Sequence, residues 1–100
     1  MVYVLNKGYH NYSEADKFGS SIYVTEGPVP VFKQDKLVHM LKETFECFNQ
    51  TDDYVLLSGP VILSVLSIAM LLKRFEFVNI LLFDAKRQSY VVRQIKSENL

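Results

Sequence analysis

The sequence predicts a single small α/β domain: a mixed sheet of about five strands with two main helices, a βαβ unit and a C-terminal β-hairpin. Three observations carry this. Short β-branched and aromatic runs recur at Val2–Leu5, Ser21–Thr25, Tyr54–Leu57, Phe77–Phe83 and Ser89–Ile95, each bounded by turn residues. Two longer segments between them change to a helical period. The chain has 100 residues, 49% apolar and 22% charged, which is the composition of one globular domain spanning 1–100.

The elements follow in order. Val2–Leu5 reads as a strand closed by Asn6-Lys7-Gly8. Ser13-Glu-Ala-Asp16 reads as a capping box with Asp in place of Glu, followed by about one helical turn and stopped at Gly19. Ser21–Thr25 is a second strand, ended by Gly27-Pro-Val-Pro30, where two prolines stop both helix and ladder. From Gln34 to Phe48, the residues Leu37, Met40, Leu41, Thr44, Phe45 and Phe48 fall on one stripe of a 3.6-residue period. Lys36, Lys42, Glu43 and Glu46 take the other side, so this first helix covers a face of the sheet.

After a polar loop, Tyr54–Leu57 forms a short apolar strand, and Ser58-Gly59-Pro60 opens the second helix with proline expected at its first position. The body of that helix, Val61–Leu72, is apolar on nearly all faces, broken by Ser64 and Ser67. It needs cover on more than one side, from the sheet and a neighbouring helix or from a second subunit. It is too short to cross a bilayer, which takes about 20 apolar residues. Phe77–Phe83 is a near-continuous apolar run, as in a strand covered on both faces. Asp84–Gln88 then turns the chain into Ser89–Ile95, and the tail Lys96–Leu100 is expected to fray. Tyr54–Leu57, the second helix and Phe77–Phe83 make a right-handed βαβ unit, so their strands run parallel.

Charge and cysteine content exclude several classes. Eleven Lys and Arg balance eleven Asp and Glu, which leaves no basic field for a long nucleic acid. The halves differ: residues 1–53 carry a net −3 and residues 54–100 a net +3, a balance suited to a small anion. Cys47 is the only cysteine, so no intrachain disulfide and no thiolate metal site can form. It stands near the end of a helix, not at an N-terminus that would activate it, and is expected to be a buried structural thiol. His39 reads as a boundary residue of the first helix. No metal or cofactor is expected, and the apolar Met1–Leu5 start lacks the basic flank and cleavage pattern of a signal peptide. A cytoplasmic location, in the host if the protein is viral, is the expectation.

Ligands of open α/β sheets bind beyond the carboxyl ends of the parallel strands. Here that edge carries Ser58 and Gly59 before a helix whose free N–H groups and dipole favour an anion. Lys86 and Arg87 follow the strand parallel to it. If the first strand is parallel too, Asn6, Lys7 and His10 join them. The candidate ligand residues are therefore Asn6, Lys7, Ser58, Gly59, Lys86 and Arg87, with Tyr9, Tyr12 and Tyr90 available to stack on a base. No nucleophile–base pair, paired carboxylates or metal cluster is visible, so catalysis is not expected; His10 is the one candidate acid or base.

The layout also resembles a known family. The segments Val2-Tyr-Val-Leu-Asn6, Lys17-Phe18, Leu57-Ser-Gly59 and Ser89-Tyr-Val-Val92, in this order, are similar to those of the viral ring nucleases. These are small anti-CRISPR proteins of viruses and mobile elements, homodimers that bind and cleave cyclic tetra-adenylate. The resemblance implies a related scaffold that binds a signalling nucleotide. It does not carry cleavage over, because Pro60 occupies the place of the family's catalytic histidine, and Lys96 and Glu98 are only approximate counterparts of its later charged residues. Two functions stand: a small phage- or mobile-element-type protein, a homodimer by default, that binds a nucleotide or other phosphate ligand; or a ligand-free, homo-oligomeric interaction or host-inhibitor module.

Overall fold

Strands form where β-branched and aromatic residues run together, and the crossovers between them decide which face each helix covers. The computed structural model describes residues 1–8 and 10–100. The order is β1 (Val2–Asn6), a 3₁₀ helix (Ser13–Phe18), β2 (Ser21–Thr25), α1 (Gln34–Thr44), β3 (Tyr54–Leu56), α2 (Val61–Arg74), β4 (Phe77–Asp84), β5 (Ser89–Lys96) and a last 3₁₀ turn (Ser97–Asn99). The five strands form one sheet in the order β2-β1-β3-β4-β5, in which β1 to β4 run parallel and β5 pairs antiparallel with β4. The mixed α/β sheet, the two helices, the βαβ unit and the hairpin are thus as the sequence predicts.

From β1 the chain steps one way to β2, then back across β1 to β3 and on to β4. Right-handed crossovers therefore put the 3₁₀ helix on one face and both α-helices on the other. Strand alternation supplies each layer with side chains. Tyr3, Leu5, Val55, Val78 and Ile80 meet Leu37, Leu41, Phe45, Leu63 and Leu71 on the helical side. Val2, Val4, Leu56 and Leu81 meet Tyr12, Ala15 and Tyr90 on the other. β1 is consequently buried along its whole length.

Several local expectations are corrected. No side chain caps the 3₁₀ helix: Ser13 is not an N-cap, and its own N–H donates to Asn11 Oδ1 at 2.9 Å. Pro60 is the N-cap of α2, not its first residue, because its ψ of 139° is extended even though its φ of −58° would suit a helix. α1 ends at Thr44 instead of Phe48. Beyond it the chain tightens to i→i+3 bonds, Glu46 N–H to Glu43 O and Phe48 N–H to Phe45 O, which still turn Phe45 and Phe48 inward. Arg74 holds this ending, donating to the carbonyls of Phe45 (2.8 Å) and Glu46 (3.3 Å). Cys47 lies on the outside of that turn and is exposed, not buried. The tail is tied down: Ser97 N–H donates to Glu76 O at 3.0 Å and starts the last turn. His39 is exposed and pairs with Glu43 one turn on, at 3.0 Å.

Candidate functional site

The carboxyl ends of β1 and β3 are fastened together by one serine. Ser58 Oγ accepts from the Asn6 N–H and donates to the Asn6 carbonyl, both at 2.9 Å. Tyr12 Oη donates to the same carbonyl at 3.1 Å, which draws the 3₁₀ helix onto the strand end. The Asn6 amide turns the other way and spends both hydrogens on β2 and the turn after it, one on Thr25 Oγ1 at 2.9 Å and one on Gly27 O at 3.1 Å. Thr25 Oγ1 in turn donates to Leu5 O at 2.6 Å. Asn6 and Ser58 are therefore structural ties between three strand ends, with no side-chain donor left over.

Gly59 follows directly and packs against Asn6. Its φ is +78°, and a Cβ there would collide with the Asn6 Cβ, so this position excludes side chains twice over. In this strand order the crevice for ligands is expected between β1 and β3. The contact between Asn6 and Gly59 narrows it.

What remains open is a cavity of about 330 Å³ toward the 3₁₀ helix, lined by His10, Asn11, Tyr12, Leu56, Leu57, Ser58, Gly59, Leu82, Phe83 and Tyr90. Its walls are aromatic: Phe83 stands edge-on to Tyr90 with centroids 5.3 Å apart, and His10 edge-on to Tyr12 at 6.2 Å. Burial and the neighbouring Tyr12 push the Tyr90 hydroxyl above its ordinary range, so it is neutral and a hydrogen-bond donor at pH 7. At the α2 end, the N–H groups of Gly59, Val61 and Ile62 have no backbone acceptor among the described residues. The cavity lining carries no carboxylate and no cysteine. His10 thus has no lining partner for acid–base work.

The other candidates do not line this cavity. Lys7 lies beyond β1 with its Nζ 5.3 Å from the centre of the Tyr23 ring. Lys86 and Arg87 sit on the turn after β4, where Asp84 Oδ1 accepts from both of their backbone N–H groups. The Arg87 Nε lies 3.7 Å from Asp84 Oδ2, and the side chain is exposed. The structure brings Ser58, Gly59, His10, Tyr12 and Tyr90 together around the cavity, ties Asn6 to Ser58 and Tyr12 beside it, and leaves Lys7, Lys86 and Arg87 outside its lining. Tyr9 lies outside the described residues. Sequence reasoning missed Asn11, Leu56, Leu57, Leu82 and Phe83 as walls; Phe83, at the end of a strand expected to be covered on both faces, is in fact half exposed. Among the described residues no group of three His, Cys, Asp or Glu gathers at one place, and no helix is long and apolar enough to cross a membrane.

No curated protein and no solved structure matches the chain. A family model does, over residues 1–97. That family is described as phage Pam3 gp32-like protein, and the match does not extend to the ring nucleases. With nearly its whole length matched, the chain belongs to the phage Pam3 gp32-like family and is a small phage-type α/β protein.

Proposed function

We propose that this protein binds a small phosphate-bearing ligand, most simply a nucleotide, in the cavity between the 3₁₀ helix and the carboxyl ends of β3 and β4. One observation carries the proposal: a cavity of about 330 Å³ has aromatic walls in Tyr12, Phe83 and Tyr90 and reaches Ser58 and Gly59, just ahead of the start of α2, where the Val61 and Ile62 N–H groups have no backbone acceptor among the described residues. A planar base stacks on Tyr12, Phe83 and Tyr90, and a phosphate lies at Gly59 and the start of α2. Lys86 and Arg87, on the turn after β4, and Lys7, beyond β1, contribute field at longer range, while Asn6 and Ser58 hold the strand ends in place. The resemblance to ring nucleases adds cyclic tetra-adenylate to the ligands to be tried. Pro60 in place of the histidine, and the lack of a partner for His10, argue for binding without cleavage. The setting is the cytoplasm of the host.

The test is a thermal-shift and calorimetric screen of mono-, di- and cyclic nucleotides on wild type, Phe83→Ala and the double variant Lys86→Ala/Arg87→Ala. A ligand present at about 100 times its Kd adds about 2.7 kcal/mol of stability, a clear rise in Tm. Phe83→Ala should lose most of that response. The double variant should fold as well as wild type, since exposed charges contribute little, and bind more weakly with a flatter salt dependence. The reading fails if no nucleotide stabilises wild type, or if both variants respond as wild type does. The second reading, a ligand-free interaction module, would then stand on the apolar stripe of α2.

A further inference from the structure

α2 keeps its uncovered apolar side chains on one line. Leu63, Ser67 and Leu71 are buried toward the sheet. Met70 and Lys73 turn toward α1 and line, with Lys42 and Phe45, the cleft between the two helices. On the flank away from α1, Val61, Val65, Ile68 and Leu72 follow one another at intervals of four, three and four residues. Val61 is 76% exposed and Val65 56%, while Ile68 and Leu72 are half-buried. That spacing is the seam by which one α-helix packs on another. Among the described residues no second helix lies on this side. β5 lies there instead, at the edge of the sheet, and after it the chain makes only a short 3₁₀ turn. The helical side of the hairpin therefore stays open, leaving Leu82 38% exposed and Val91 half-buried. Seam and strand form one apolar step.

We propose that a second copy of this chain covers this step, with α2 packed on α2 about a two-fold axis. The seam calls for a helix as occupant, and its spacing reads the same in both directions. An antiparallel copy therefore sets Val61 against Leu72 and Val65 against Ile68, the self-complementarity that a two-fold interface requires. Charge does not oppose it: Lys73 and Arg74 are the only charges on α2, both lie past the seam, and Arg74 is held on the Phe45 and Glu46 carbonyls. Arg93 on β5 borders the step as part of a polar rim.

Sedimentation equilibrium of the full chain over the micromolar range tests this. Wild type is expected at twice the 11.6 kDa chain mass. Val65→Glu, at a side chain with no place in the core, should raise the dimer Kd by about 100-fold or more while leaving circular dichroism unchanged. Val61→Asp should act in the same direction. Phe32→Ser, at the 98% exposed phenylalanine outside the step, should leave the dimer intact. A wild type that stays at 11.6 kDa to high micromolar concentration overturns the proposal and leaves the seam to a helix of another protein. A dimer that Val65→Glu and Val61→Asp do not weaken, or that Phe32→Ser alone dissolves, overturns it too.

Discussion

At Gly59 a single hydrogen in place of a side chain lets the β3–α2 turn lie on Asn6, which holds β1 to β2. The left-handed backbone there would cost any other L-residue about 1–2 kcal/mol. A Cβ would add the overpacking penalty of a closed site, about 1–3 kcal/mol, because Asn6 is held by two amide bonds and cannot give way. Gly59→Ala should therefore lower unfolding stability by roughly 2–5 kcal/mol in urea titrations, far more than an exposed Gly→Ala usually does. A loss below about 0.5 kcal/mol would mean that the turn does not pack on Asn6. Ser58 works in the same place by a different means, bonding both backbone groups of Asn6. The sequence marked Asn6, Ser58 and Gly59 as a cluster, but as ligand donors. Their structural role was not legible, because it depends on Thr25 and Gly27, which no local pattern links to Asn6.

The elements themselves were legible where period and composition agreed. The stripe from Leu37 to Phe48 shows which side of α1 is buried, and Leu37, Leu41 and Phe45 are all sealed in the helical core. The end of the helix was not legible, because Phe45 and Phe48 keep the helical spacing after the chain has left the helix. Arg74, distant in sequence, holds the chain just past that end by donating to the carbonyls of Phe45 and Glu46. The same distance effect hid the exposure of Cys47. Phe45 is 1% exposed and packs against Tyr3 at 5.2 Å and Phe48 at 5.7 Å between ring centroids. Phe45→Ala should cost about 3–5 kcal/mol, since those rings cannot collapse into the space it leaves. The shift in denaturant midpoint measures this; a cost under about 1 kcal/mol would place the α1 stripe in solvent.

For the whole molecule, the sheet carries one buried tyrosine on each face, and together they couple both layers to alkaline pH. Tyr3 lies in the helical core and Tyr90 in the opposite one. Burial raises both above their ordinary value of 10.0, helped at Tyr3 by Asp53 and Cys47 and at Tyr90 by Tyr12. In the unfolded chain the same phenols ionise near 10.0, so the unfolded state releases protons first. Stability is therefore fully present below about pH 10 and declines as pH rises from there through the folded values. Each tyrosine steepens the decline by at most about 1.4 kcal/mol per pH unit, one proton's worth. Because the two layers share β1 and β3, the loss should appear as one cooperative transition and not as the melting of one face. Urea midpoints measured across the alkaline range should stay level to about pH 9 and then fall. Tyr3→Phe and Tyr90→Phe should each flatten that fall without altering its onset. If both variants lose stability with pH as steeply as wild type, the alkaline sensitivity comes from the lysines, and the tyrosines are not the coupled groups.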